Sequence, residues 1–441
     1  MPRLQHKSVL ALAWPLILSN ISVPLLGMVD TAILGHLPQA QYLSAVAVGA
    51  SILSIVFWAM GFLRMGITGL AAQAWGQQNH IQLDALLMRS AVLAVVVGLL
   101  LMAIRTPLLG ISLTLMQPSA EAAALAQSYG EIRMLGAPAV LLNFVIVGWF
   151  IGRQNTRVPM LIVLTTNVIN ILLDVVFILG LELNSDGAAL ATLCAEVSGL
   201  CIGIICVLRA EPRMLERLRQ VSISNWRHYR RLLGVNRHLF IRTACLLFTI
   251  AFFTAQGSRQ GDSTLAANSI IFQLLMLLSY GLDGIAHSAE ALVGKAFGRR
   301  DPKLFSEILA TTGVWSLVIA VGMSLFFWIA QGWLISLFTD IQNVLEILNI
   351  YFVWLYALPL LCVWAFWLDG VYIGAGGSRV MQYSMMFSVF IVFLPSWWLS
   401  QSWQNHGLWL AFSLFNLSRG VTLALCLPSL RGRLSREPTS L

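Results

Sequence analysis

Long apolar runs, separated by short segments rich in glycine, proline and charge, dominate the pattern of this chain. A helix that crosses a bilayer needs about 20 apolar residues, and twelve runs of about that length follow one another. We therefore predict an all-α polytopic membrane protein with twelve transmembrane helices. The predicted spans cover approximately residues 10–34, 43–70, 86–109, 129–151, 158–180, 187–208, 238–258, 264–290, 308–332, 347–372, 381–400 and 406–428.

Composition supports a membrane location and excludes several function classes. Only 10% of the 441 residues are charged, against about 25% in soluble domains. The net charge of +8 is carried by residues between the apolar runs, so we expect membrane lipids and no nucleic acid as partners. The sequence has no GxxxxGK[ST], HExxH or GxSxG motif. An ATP-driven pump and a membrane hydrolase are therefore disfavoured, and we expect neither enzymatic activity nor a cofactor.

The distribution of lysine and arginine predicts the orientation. Basic residues concentrate in the connections that follow even-numbered spans, including a stretch with eight arginines between Arg209 and Arg237. The opposite connections carry acids or few charges, with Arg105, Arg133 and Arg259 as their cations. By the positive-inside rule both termini are cytoplasmic. We expect a multi-pass protein of the bacterial cytoplasmic (inner) membrane.

The chain repeats itself at a constant offset. The segment GWFIG at 148–152 returns as GVYIG at 370–374, and AWG at 74–76 returns as AFG at 296–298, with the same spacing for both pairs. A parallel repeat of this kind predicts two pseudo-symmetric six-helix bundles around a central cavity. The predicted organisation is an N-terminal lobe at 1–208, a basic cytoplasmic linker at 209–237, and a C-terminal lobe with a short cytoplasmic tail at 238–441.

Ionisable residues inside spans are costly and therefore mark candidate functional sites. Asp30 in the first span and Asp174 in the fifth lie at a similar depth, in the predicted outer half of the membrane. Asn167, Asn170 and Asp174 are spaced i, i+3, i+7, which places them on one helix face. Thr192 stands near the outer start of the sixth span. The pattern predicts a polar cluster in the first bundle.

The chemistry of this cluster has two interpretations. Neighbouring carboxylates in apolar surroundings tend to share a proton, whereas the same oxygens, with those of Asn170 and Thr192, also suit Na⁺. A structural alternative places Asp30 at a solvated helix end and gives Asp174 a single interhelical hydrogen bond. Pro24 precedes Asp30 by six residues and is either a hinge that lets the first helix bend or a static kink.

The second half has fewer candidates. Asp283 and Glu290 lie in the eighth predicted span and Asp369 lies at the inner end of the tenth. Asp283 and Asp369 are candidates for a second-lobe cavity that attracts cations. The alternative for Asp369 is a solvated position near the cytoplasm.

Five segments are distinctive: PLLGMVDTA at 24–32, GLAAQAWG at 69–76, YGLDG at 280–284, AEALVG at 289–294 and LDG at 368–370. Together they resemble motifs of the multidrug and toxic compound extrusion (MATE) family, in the branch named for DNA-damage-inducible protein F, and the resemblance extends over essentially the whole chain. The resemblance implies two six-helix lobes and an antiporter that exports organic, often cationic, compounds in exchange for H⁺ or Na⁺. It also implies a coupling site at Asp30, Asn170, Asp174 and Thr192.

The predicted function is export of small organic molecules by alternating access, coupled to inward H⁺. The Na⁺-linked branch of the family carries an acidic residue in its seventh helix, and residues 238–258 contain none, so H⁺ is favoured over Na⁺. We expect no bound metal other than Na⁺ under that alternative, and a monomer. The alternatives are a Na⁺-coupled drug antiporter and a flippase for lipids or lipid-linked sugars from the same superfamily. The flippase would need several arginines in a cavity to hold phosphate.

Overall fold

In the computed structural model, which describes residues 6–35, 39–219 and 225–435, every regular element of the described residues is helical. The first half contains α1 (His6–Gly35), α2 (Ala40–Ala59), α3 (Phe62–Gly76), α4 (His80–Ala103), α5 (Arg105–Met116), α6 (Ala120–Leu135), α7 (Ala137–Gly152), α8 (Arg157–Asp174), α9 (Asn184–Ala210) and α10 (Met214–Leu218). The second half contains α11 (Trp226–Ser258), α12 (Asp262–Arg299), α13 (Pro302–Phe338), α14 (Gln342–Tyr351), α15 (Val353–Gly374), α16 (Ser378–Phe387), α17 (Leu394–Leu399) and α18 (Gln404–Ser435).

The prediction of an all-helical polytopic protein is confirmed. Among the described residues, eleven helices are long and apolar enough to cross a membrane, and the pair α6 and α7, bent by 50° at Gly136, makes twelve when it is counted as one span. Pro138 follows this bend in the first turn of α7, where its missing N–H costs no helical hydrogen bond. The apolar pattern places the start of the fourth span at residue 129, whereas α6 begins at Ala120, so the bent span is longer than its apolar core suggests.

The chain divides into two compact units. One unit, here called the first-repeat unit, comprises Leu18–Ala74 and Gln78–Leu233. The other, the second-repeat unit, comprises Gly234 onward together with Trp75–Gln77 and the start of the chain through Ile17. The start of α1 joins the second-repeat unit because it packs on α12: Gly284 leaves room for Ile17, and the Ser288 hydroxyl lies 3.4 Å from the Val9 carbonyl oxygen. The lobe and linker boundaries at 208 and 238 remain predictions.

The glycine pairs of the sequence repeat make the same contacts in both units. In the first-repeat unit, a Cβ on Gly148 would lie 2.6 Å from the Arg64 carbonyl oxygen, and one on Gly152 would lie 2.8 Å from that of Thr68. Real Cβ atoms do not approach so closely, so α7 and α3 can touch only because these positions are glycine.

In the second-repeat unit, a Cβ on Gly370 would lie against the carbonyl oxygen of Ala286, and a Cβ on Gly374 would lie against that of Glu290. Each of these four residues follows its counterpart in the first-repeat unit at the offset of the sequence repeat. The internal repeat is therefore a repeat of backbone packing between the second and fourth spans of each half, and it fixes where α15 sits on α12.

The basic segment after α9 is held to the first-repeat unit by ion pairs. Glu211, which caps α9, accepts a 2.6 Å hydrogen bond from Arg153 at the end of α7 and a 2.5 Å hydrogen bond from Arg217 on α10. Burial lowers the pKa of Arg153, while the hydrogen bond to Asp84 raises the pKa of Arg217. The first part of the predicted linker thus folds back onto the transmembrane helices.

Candidate functional site

Asp30 and Asp174 come together in the first-repeat unit, although they lie far apart along the chain. The carboxyl group of Asp30 on α1 lies beside that of Asp174, the last residue of α8, and the two groups interact directly. Asp174 is completely buried and Asp30 is half-buried. The predicted meeting of two acidic side chains from non-adjacent helices is therefore present in the structure.

Three of the four oxygens of these carboxylates lack a hydrogen-bond partner in the part of the chain that the structure describes. Among the described residues, none donates a hydrogen bond to either oxygen of Asp174 or to Oδ1 of Asp30. Buried polar groups in proteins are normally hydrogen-bonded, and adjacent acceptors without donors repel one another. A single proton placed on either carboxyl group would convert an acceptor into a donor and join the two side chains.

The polar face of α8 is arranged as its spacing predicted. Asn167 donates a 2.9 Å hydrogen bond from Nδ2 to the Ser22 hydroxyl oxygen, which links α8 to α1. One turn further on, Asn170 donates a 3.3 Å hydrogen bond to Oγ1 of Thr192 on α9. Thr192 in turn donates to the carbonyl oxygen of Ala188 at 2.9 Å. The four residues expected to form the cluster all belong to the first-repeat unit and lie on its helices α1, α8 and α9.

Asn170 adds a further acceptor. Its side chain is completely buried, and Oδ1 has no hydrogen-bond partner in the described part of the chain. With its amide nitrogen directed to Thr192, the free oxygen joins those of Asp174 as a third unsatisfied acceptor. Such a set of oxygens suits a proton, a water molecule or a hard cation.

A π-helical segment follows Asp174 immediately. Val175–Gly180 continues α8 in this wider form, and the equivalent fifth span of the second half contains a similar segment at Ser388–Phe393. π-helical turns inside helices occur frequently at functional sites, because they shift side-chain positions without ending the helix. Asp174 therefore lies at the junction between the regular helix and the π-helical segment.

A partly buried ion pair close to Asp30 was missed by the sequence analysis. Nη1 of Arg133 lies 2.7 Å from Oε2 of Glu196, with the two side chains 12% and 17% exposed. Arg133 also interacts electrostatically with Asp30 and Tyr129. The prediction that Arg133 belongs to an outward-facing connection is wrong, because α6 is the first part of a bent span. The glycine at the bend would have been the useful signal, since Gly136 leaves room for the Glu196 carboxylate.

Pro24 lies within a continuous helix. The regular structure of α1 extends from His6 to Gly35 without a break at Pro24, whose ring is exposed. A proline in a helix interior removes one backbone hydrogen bond and so lowers the cost of bending there. Its role as a hinge stays a prediction.

The second-lobe candidates have different surroundings. Asp283 on α12 is half-buried and lies near Tyr280. Asp369 on α15 is buried, and its Oδ2 accepts hydrogen bonds from Arg242 and, at 2.7 Å, from Arg419. The structure thus surrounds Asp369 with guanidinium groups, which disfavours the expected attraction of a cationic solute. A cavity-facing role for either acid stays a prediction.

The acidic cluster has no counterpart in the second repeat. At the offset of the sequence repeat, Phe252 corresponds to Asp30 and Ser396 corresponds to Asp174. Phe252 packs against Trp397 and Phe393, with ring centroids 4.9 and 5.6 Å apart. The two halves therefore share a backbone arrangement but differ in chemistry, and only the first places carboxylates there.

Comparisons with known proteins agree with this architecture. The MatE family model matches residues 15–176 and 240–398. DNA damage-inducible protein F of Escherichia coli (strain K12) is 38% identical over 428 residues, which cover 95% of this chain and 91% of that protein. The probable multidrug resistance protein NorM of Thermotoga maritima is 25% identical over 78% of this chain and 74% of its own length.

A solved structure shows the same fold. It is described as the outward-facing conformation of a multidrug resistance MATE family transporter of the MOP superfamily, and it superposes with a TM-score of 0.88 at 18% identity, covering 98% of this chain and 97% of that one. The resemblance seen in the sequence motifs is thus confirmed by a family model that matches most of the chain. This multi-pass membrane protein belongs to the MATE family of transporters and is a homologue of NorM-type multidrug efflux proteins.

Proposed function

We propose that this protein is a secondary active antiporter that exports small organic compounds in exchange for inward H⁺, with Asp30 and Asp174 as the proton-binding pair. The observation that carries the proposal is the contact between these two carboxyl groups, in which both oxygens of Asp174 and Oδ1 of Asp30 have no hydrogen-bond partner among the described residues. The names of the relatives support drug efflux as the activity.

The proposed mechanism follows from electrostatics in a medium of low polarity. When both carboxylates are ionised, they repel one another and favour a conformation that separates them or admits water. One shared proton removes this repulsion and joins α1 to α8. The two protonation states thus favour different positions of α1, and Pro24 is the proposed hinge of that helix.

Coupling requires that the proton binds the two conformations with different affinity, because a ligand with equal affinity shifts no equilibrium. In the proposed cycle, proton binding from the outside favours the conformation that releases substrate outward, and proton release to the cytoplasm resets the transporter. One proton moving inward through 100 mV supplies about 2.3 kcal/mol. That is enough for roughly fifty-fold accumulation of an uncharged substrate before a pH gradient adds more.

Sodium is the alternative coupling ion. The unsatisfied oxygens of Asp174 and Asn170 are ligands of the type that Na⁺ prefers. The proton is favoured because it needs only one acceptor atom, and because the seventh span, residues 238–258, lacks the acidic residue of the Na⁺-linked branch. We further propose a monomer without a cofactor in the bacterial inner membrane, with both termini cytoplasmic.

The test is transport of ethidium, a cationic dye, into or out of proteoliposomes under an imposed pH gradient or an imposed Na⁺ gradient. Wild type should respond to the pH gradient, and Asp30→Asn and Asp174→Asn should each lose most of that response. Asp340→Asn is the matched control, because Asp340 is exposed and lies before α14. Full pH-driven transport in Asp30→Asn would overturn the proposed role of the pair, and a response to Na⁺ alone would replace H⁺ by Na⁺.

A further inference from the structure

Two arginines and one aspartate form a buried cluster in the second-repeat unit. Arg242 on α11 and Arg419 on α18 both donate to Oδ2 of Asp369 on α15. The three residues are 7%, 3% and 8% exposed. Arg419 also donates a 3.1 Å hydrogen bond to Oδ1 of Asn416. The cluster thus connects three helices of one unit around a single carboxylate oxygen.

The cluster carries an excess positive charge. Arginine stays protonated in proteins, so two guanidinium groups face one carboxylate. The charged and titratable groups that act on Arg419 are Asp369, Arg242 and the buried thiol of Cys362. A buried charge without a counter-charge is expensive. The cluster therefore has the capacity to hold one further anion.

An unused donor indicates where such an anion would bind. Nε of Arg242 is buried and has no hydrogen-bond partner in the described residues. The guanidinium group presents its donors as a planar fork that matches the two oxygens of a carboxylate. Asp369 takes only part of this donor capacity, because both arginines share its Oδ2.

The fold itself does not demand this cluster. At the offset of the sequence repeat, the first half has Asn20 in place of Arg242 and Val147 in place of Asp369. The equivalent helices of the first half pack without an arginine–aspartate pair at those positions. A role in ligand recognition would explain why Arg242 and Asp369 are charged although the packing of these helices does not need an ion pair.

We propose that Arg242 and Arg419 bind the anionic group of an organic monoanion, so that the substrates of this transporter include carboxylate-bearing compounds. This inference deepens the proposed export function and rests on it for transport, but binding at the cluster needs no ion gradient. Asp369 then acts as the internal counter-ion that holds the two guanidinium groups in place and competes with the ligand.

The experiment is equilibrium binding of fluorescent pyrenebutyrate and of its uncharged amide to the full-length protein in nanodiscs of phosphatidylcholine. The wild type should bind the carboxylate about tenfold more tightly than the amide, which is the difference expected for one charge-assisted hydrogen bond. Arg419→Gln should abolish this preference. The matched control is Arg379→Gln, because Arg379 is exposed and lies over the ring of Tyr383, and it should keep the preference.

The variant Asp369→Asn distinguishes a ligand-binding role of the arginine cluster from a purely structural role. Removal of the competing carboxylate should tighten pyrenebutyrate binding by about tenfold and leave amide binding unchanged. A purely structural cluster would instead lose thermal stability in this variant without gaining affinity, and that result, or equal affinity of acid and amide in the wild type, would overturn the proposal. Because no gradient is applied, failure here leaves the proton-coupling proposal standing.

A lipid headgroup offers the same anionic chemistry as a solute. A second set of nanodiscs therefore contains phosphatidylglycerol. If the solute proposal holds, pyrenebutyrate should bind with the same affinity in both lipids. Displacement of the probe by phosphatidylglycerol in the wild type, and not in Arg419→Gln, would assign the cluster to lipid and overturn the proposal of a solute site.

Discussion

Arg217 donates a 2.6 Å hydrogen bond from Nε to Oδ2 of Asp84, a carboxylate whose side chain is completely buried near the start of α4. The pair joins the basic segment after α9 to a transmembrane helix 133 residues earlier in the sequence. Loss of one partner leaves a buried charge without compensation, which generally costs about 3–5 kcal/mol. The linker and the helices are therefore expected to unfold together.

Arg217→Ala tests this coupling. The variant should lower the Tm of the purified protein by several degrees, because Asp84 loses its guanidinium partner. Addition of Asp84→Asn should recover part of the loss, since the double variant contains no uncompensated carboxylate at this place. Thermal denaturation in detergent measures both effects. Arg213→Ala, at an exposed position four residues earlier, is the control, and an equal effect there would contradict the assignment.

The glycine contacts of the repeat give a second prediction. Gly370→Ala would place a Cβ against the carbonyl oxygen of Ala286 and should destabilise the protein by about 1–3 kcal/mol through overpacking. Gly322→Ala makes the same chemical change on α13, where nothing lies within 4 Å, and should be neutral or stabilising by up to about 1 kcal/mol. The measurement is the Tm of each variant relative to the wild type. Similar shifts of the same sign in the two variants would show that stability does not require the close approach of α15 and α12.

How far the sequence predicts this site depends on the spacing of its residues. Asn167, Asn170 and Asp174 share a helix face by the 3.6-residue period alone, and depth within the span placed Asp30 at their level. The constant offset between similar segments predicted the two repeats, and the glycine contacts show the same offset in space. These features are local or periodic, so they are visible in a single sequence.

The pairs that sequence analysis missed depend on contacts between distant residues. Arg242 and Arg419 lie 127 and 50 positions from Asp369, and neither spacing follows a helical period. The charge pattern counts Arg133 among the cations of a connection, although it lies inside the predicted span 129–151, and the structure places it on α6 before the bend at Gly136. Pairing across helices is set by how they pack, which hydropathy does not encode.

The ion pair beside Asp30 leads to a third prediction. Arg133→Gln removes the partner of Glu196 and should lower both thermal stability and pH-driven ethidium transport, because an uncompensated carboxylate then lies close to the proton site. The double variant Arg133→Gln with Glu196→Gln should recover stability, since neither charge remains. If the double variant is no more stable than Arg133→Gln alone, the pair does not act as a unit.

The separation of proton chemistry from anion chemistry leads to the last prediction, which concerns charge movement. If Asp30 and Asp174 carry one proton inward while the arginine cluster delivers a monoanion outward, each cycle moves about two elementary charges, and an inside-negative potential drives both movements. Export of a monocation against one proton moves no net charge. Proteoliposomes adsorbed to a solid-supported membrane should therefore give transient currents with pyrenebutyrate that are much larger per transported molecule than those with ethidium. Arg419→Gln should reduce the pyrenebutyrate current and spare ethidium transport, whereas equal currents for the two substrates in the wild type would contradict this division of roles.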